Sequence, residues 1–110
     1  MAPMVSHLTD LGAIEAKAFG QKECFEAGVK FANAEGIVPA PEATHAVKGA
    51  IDAAMDCKKK GESKTILFNL CGHGHFDMQA YGDYFHNKLS EDKYNESEVN
   101  AALEKLPKIA

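Results

Sequence analysis

Seven residues, Thr65-Ile66-Leu67-Phe68-Asn69-Leu70-Cys71, set the terms for any fold of this chain. The run is apolar on both alternating sets of positions, the signature of a strand covered on both faces, as in a parallel sheet. Such a strand needs neighbours on either edge. The only other stretch with period-two alternation is Ala13 to Phe19, where Ile14, Ala16 and Ala18 alternate with Glu15, Lys17 and Phe19. Alanine is a poor strand former, so this partner is thin. The chain must find cover for an apolar strand that its own sequence does not provide.

The remaining segments read as helices, separated by proline and glycine. Met4, Leu8 and Leu11 recur at helical spacing between Pro3 and Gly12. From Lys22 to Glu35 the residues Cys24, Phe25, Gly28, Val29, Phe31 and Ala32 make a broad apolar face, closed by Gly36. Ile37-Val38-Pro39-Ala40-Pro41 follows as an extended connector, because each proline disfavours helix at the residue before it. A helix from Pro41 to about Lys60 carries the stripe Val47, Ala50, Ile51, Ala54 and Met55. Lys58, Lys59 and Lys60 complement the negative end of its dipole, and Gly61 ends it. A helix capped by Asp77 presents Met78, Tyr81, Tyr84 and Phe85. The polar stretch from Ser90 leads to a terminal helix, with capping-box spacing at Asn95 and Glu98, apolar Val99, Ala102, Leu103 and Leu106, and a stop at Pro107. The expected fold class is therefore α/β: a single domain of 110 residues, mainly helical, with about five helices and two short strands near 13–19 and 65–71, reading as a piece of a doubly wound parallel sheet. Residues 90–110 are expected to form a polar linker and terminal helix.

Charge narrows the partners. All twelve cationic residues are lysine, and the net charge is −4. Arginine supplies the commonest bidentate base contact and the forked capture of phosphate, so nucleic acid is not an expected partner. No apolar run approaches the ~20 residues of a membrane span, and Met1-Ala2-Pro3-Met4 has no basic region followed by an apolar one, so a signal peptide is not expected. Three scattered cysteines do not make a disulfide framework, which points to a reducing cytoplasm.

Two constellations could carry chemistry. Cys71-Gly72-His73-Gly74-His75-Phe76-Asp77 lies where the apolar strand leaves its sheet, the place where open α/β sheets bind ligands. Its glycines admit close backbone approach to a cofactor or anion; the competing reading is a plain turn with exposed histidines. Were the extended alternation to persist, Cys71, His73 and His75 would share one side with Asp77 as a fourth donor, a set that suits zinc. The spacing matches no familiar zinc pattern, and the glycines break the alternation. In the second constellation, Pro39-Ala40-Pro41-Glu42-Ala43-Thr44-His45-Ala46, Glu42 and His45 share the first turn of a helix face. They could act as a proton-transfer pair, or Glu42 could simply favour the positive helix end while His45 packs. No Gly-x-Ser-x-Gly elbow occurs, and Cys24 and Cys57 fall on helix faces as packing residues.

Taken together, Glu35-Gly36-Ile37-Val38-Pro39-Ala40-Pro41-Glu42-Ala43-Thr44-His45-Ala46 and Ile66-Leu67-Phe68-Asn69-Leu70-Cys71-Gly72-His73-Gly74-His75-Phe76-Asp77 resemble the carboxyl-terminal part of tryptophan synthase β-chains. The second motif is closer to the divergent second class than to the main class, which reads Ser-Gly-Arg-Gly-Asp there. The resemblance runs from about Ala2 to Leu89. It implies a pyridoxal-phosphate enzyme fold and the joining of indole to L-serine to give L-tryptophan. By position it places Glu42 beside the cofactor ring, Cys71 at the residue facing the pyridine nitrogen, and Gly72 next to both. It assigns no role to His45. The family's Schiff-base lysine, glycine-rich phosphate loop and catalytic glutamate match nothing in these 110 residues. The resemblance thus implies a fragment inactive by itself, with no catalytic residue of its own and pyridoxal phosphate bound in the parent family but not by this chain alone. Its partner would be an amino-terminal β-chain segment. The alternatives are a self-associating structural or binding domain descended from that enzyme, forming a homo-oligomer, and, more remotely, a zinc protein.

Overall fold

The computed structural model describes residues 2–90 and 96–103. Five helices follow one another: α1 (Pro3–Asp10), α2 (Gln21–Glu35), α3 (Pro41–Lys60), α4 (Met78–Phe85) and α5 (Glu96–Leu103). Their boundaries are set by backbone chemistry. Pro3 and Pro41 open α1 and α3, where a missing N–H costs nothing. The Gly20 N–H at the head of α2 donates to the Glu23 carboxylate at 2.6 Å. Gly36 and Gly61 close α2 and α3 in the left-handed conformation, at φ of 70° and 67°.

Helices α2 and α3 form the core and run antiparallel, with Gly28 against Thr44, Glu23 against Lys48 and Phe19 against Gly49. Gly28 permits the closest approach: a Cβ there would lie 2.7 Å from Thr44 Cγ2 and 3.0 Å from Tyr81 Oη. Cys24, Phe25, Ala27, Ala43, Thr44, Val47 and Tyr81 are buried at this junction. The Phe25 ring meets Tyr81 edge-on at 5.0 Å and stacks on Tyr84 at 5.8 Å, which docks α4 onto α2. On the other side Lys48 Nζ ties the pair, 2.6 Å from Asp52, 3.5 Å from Glu23 and over the Phe19 ring.

The strands expected at 13–19 and 65–71 are not found. Among the described residues no strand forms, and the one β-bridge pairs Pro39 with His73. Ala13–Ala18 are exposed throughout. Across 65–71 burial alternates: Ile66, Phe68 and Leu70 turn inward, with Phe68 edge-on to Phe31 at 5.8 Å, while Leu67 is 95% exposed. The period-two pattern is present without a ladder, since a strand is defined by its neighbour and none of these residues supplies one. The stripe on α3 is also only partly used. Val47 is buried, but Ala54 and Met55 are exposed. Helix α1 buries none of its residues. In the terminal segment, Val99 and Ala102 fall within α5, while Asn95, Leu106 and Pro107 lie outside the described residues.

Candidate functional site

The two chemistry-bearing motifs, far apart in sequence, are laced together by their backbones. The connector between α2 and α3 is extended, with Ala40 at φ −61°, ψ 149°, because Pro39 and Pro41 hold it there. Its Ala40 N–H donates to the Gly72 carbonyl at 2.9 Å, and the Gly74 N–H donates to the Val38 carbonyl at 2.8 Å. These two bonds flank the antiparallel Pro39–His73 bridge. Gly72 and Gly74 make the closeness possible. A Cβ on Gly72 would stand 3.2 Å from Ala40 Cβ, and one on Gly74 only 2.6 Å from the Pro39 carbonyl oxygen. The chain then turns into α4, with the Asp77 N–H on the Gly74 carbonyl at 2.9 Å.

This register places Cys71 beside the first turn of α3, which carries Glu42. Both side chains are exposed, and Gly72 is half-buried between the connector and the turn. Glu42 and His45 also border a cleft of about 250 Å³ with Phe19, Gln21 and Phe25, which neither Cys71 nor Gly72 lines. The proton-transfer pair imagined for Glu42 and His45 therefore faces open solvent on one wall, with His45 exposed rather than packed.

His73 and His75 remain neighbours, their rings 4.8 Å apart, and the His75 N–H donates to His73 Nδ1 at 3.3 Å. Among the described residues no group of three His, Cys, Asp or Glu side chains is placed to hold a metal ion. His73 and His75 thus keep together, and Cys71 does not join them in a group of three.

Sequence reasoning passed over one residue that the structure puts at the centre. Tyr81, named there only among the residues that its helix presents, is 4% exposed, and its hydroxyl donates to the Pro39 carbonyl at 2.7 Å. Burial, and then the nearby Asp77 charge, push its phenol pKa up. Burial and the Glu23 charge likewise push the Cys24 thiol up. A tyrosine three places into a helix face carries no signal for a partner 42 positions away.

Glu42 and Cys71 are both exposed, and Gly72 between the two motifs is half-buried with its Cα against the Ala40 side chain. The phosphate end of a pyridoxal group is unserved: these 110 residues contain no glycine- and serine-rich loop, and Lys48 is committed to Asp52 and Glu23.

No protein-family model matches the chain. Individual relatives do. The protein named tryptophan synthase beta chain 2 of Aquifex aeolicus is 58% identical over 90 residues, which is 82% of this chain and 21% of the relative. The protein of the same name in Methanosarcina mazei is 57% identical over 88 residues, 80% of this chain and 20% of that one. Tryptophan synthase beta chain of Pyrococcus horikoshii is 47% identical over 107 residues, 97% of this chain and 23% of that one. The chain spans about a fifth of the length of these relatives. It is a homologue of tryptophan synthase β-chains, related to them through that fifth.

Proposed function

We propose that this chain forms one wall of a pyridoxal-phosphate site of the tryptophan synthase β type, corresponding to the carboxyl-terminal part of the subunit. In this reading Glu42, Cys71 and Gly72 adjoin the cofactor ring. The carrying observation is the backbone lacing of Val38–Ala40 to Gly72–Gly74, whose register sets the backbone of Cys71 beside the start of the helix that carries Glu42. The Cys71 thiol is a weak donor, suited to a pyridine nitrogen that stays unprotonated. Glu42 sits in the first turn of α3, near the positive end of the helix dipole. When bound, pyridoxal phosphate supplies an electron sink for chemistry on an amino acid such as serine. The phosphate cradle, the cofactor's lysine and the acid–base residue come from a β-chain segment that these 110 residues do not contain, in the cytoplasm. Without them the chain makes no tryptophan by itself.

The test is reconstitution. The purified chain is mixed with the part of the Aquifex aeolicus relative that precedes the matched fifth, with pyridoxal phosphate, indole and L-serine. Tryptophan formed by the mixture and by neither part supports the reading. A stable complex that binds no cofactor refutes it. A second reading has one observation in its favour: Leu67 is 95% exposed on an extended segment without a ladder, a surface suited to pairing with another copy. In that case the chain alone is a cofactor-free oligomer in native mass spectrometry, and it ignores the added segment.

A further inference from the structure

We infer that Tyr81 is a positioning residue of this cofactor wall: its hydroxyl locks the Pro39 carbonyl and so fixes the segment carrying Glu42 against the turn carrying Cys71. The inference rests on the reading above for what the wall is for, but not for the clamp itself. In the antiparallel bridge the Ala40 N–H and the Val38 carbonyl face the Gly72–Gly74 turn. The Pro39 carbonyl takes no part in this backbone pairing, and its oxygen lies between Gly74 and the Tyr81 hydroxyl of α4. Pro39 is buried, so this oxygen is shut off from water and needs a donor from the protein. Tyr81 provides it at 2.7 Å.

The phenol is itself held from two sides. Its ring sits edge-on to Phe25 of α2, and its oxygen lies over Gly28, where a Cβ would come within 3.0 Å. Gly74 fits into the angle between Pro39 and the Tyr81 ring, 2.6 Å and 3.1 Å from the position of a hypothetical Cβ. Four segments meet at one tyrosine side chain: α2 and the connector at its hydroxyl, the Gly72–Gly74 turn at its ring edge, and α4, which carries it. Burial raises the phenol pKa, so it remains a donor well above neutral pH. Both wall residues lie within three positions of this junction, Glu42 after Pro39 and Cys71 before Gly74.

Tyr81→Phe removes one oxygen and keeps every ring contact. Amide hydrogen exchange on the full 110-residue chain reads the clamp directly. A bond of ordinary strength corresponds to roughly five- to tenfold faster exchange at the Ala40 and Gly74 amides, with the α2 and α3 amides unchanged. In the reconstituted mixture the same variant should weaken pyridoxal phosphate binding about as much, with helical circular dichroism unaltered, a split that loss of core packing does not produce. Unchanged exchange at Ala40 and Gly74, a uniform rise across α2 and α3, or collapse of the variant would each overturn the positioning role. Failure of the wild-type mixture to bind cofactor sinks the proposed function instead, and the exchange result still decides the clamp.

Discussion

Gly74→Ala is the sharpest single-atom perturbation this structure offers. The new methyl would stand 2.6 Å from the Pro39 carbonyl oxygen, 3.0 Å from Val38 Cγ1 and 3.1 Å from Tyr81 Cε2. Ordinary contact begins at 3.4 Å, so the turn and connector must separate by about 0.8 Å. The nearest obstacle is backbone, which cannot rotate aside. Overpacking of this kind costs about 1–3 kcal/mol. Separation also stretches the Gly74 N–H bond to Val38 and the Tyr81 bond to Pro39, each worth about 1 kcal/mol. Gly74 does not have a positive φ, so alanine returns about 0.4–1 kcal/mol through the unfolded chain. The net expectation is a loss of about 2–3 kcal/mol, a large share of a small domain's stability. Gly82→Ala is the control. It sits inside α4 with nothing within 4 Å of the added carbon, and alanine there should stabilise by about 0.5–1 kcal/mol. Urea titration followed by far-ultraviolet circular dichroism gives both values. Midpoints that move in the same direction, or a Gly74→Ala loss below about 0.5 kcal/mol, would refute the close packing of connector and turn.

Two further expectations concern pH and the bare strand. Cys24 and Tyr81 have folded pKa values raised above their ordinary 9.0 and 10.0, so the fold favours their neutral forms. Their contribution is complete below those ordinary values and is lost as pH rises past about 9 and then about 10. Urea midpoints from pH 7 to 11 should fall over that window, and Tyr81→Phe should flatten its upper end; an equal slope in the variant would contradict the assignment. Leu67→Lys, at a side chain 95% exposed, should change the stability of the chain alone by less than about 0.5 kcal/mol. It should abolish tryptophan formation in the reconstituted mixture, because assembly would bury an unpaired charge. Full activity of that variant would show that residues 65–71 are not covered by the companion segment.

Pattern and punctuation made the helices legible. Pro41, Gly36 and Gly61 act within one turn of chain, through a missing N–H or a left-handed φ, and such local chemistry can be read without a fold. The kinship was equally legible, since the motifs ending at Ala46 and Asp77 are specific in wording and order. The strands were not, because a ladder belongs to two segments: Thr65–Cys71 has the composition of a covered strand, and Ala13–Phe19 the alternation of another, yet neither finds a partner here. Whether Cys71, His73 and His75 gather was illegible for the same kind of reason, as a turn decides which side chains share a side, and among the described residues no such group of three forms.

The sequence alone determined where the backbone must bend, which helix faces are apolar, the anionic arginine-free surface and the relationship to tryptophan synthase β-chains. Only the tertiary structure decided that the Pro39 connector pairs with the Gly72–Gly74 turn, that Gly28 and Gly74 are contact points rather than loose links, and that Tyr81 holds them together. The physical division is between covalent neighbours and distant ones. Caps and proline restrictions are fixed by adjacent residues, whereas the donor for a buried carbonyl is chosen by packing that brings α4 onto a connector 42 positions away.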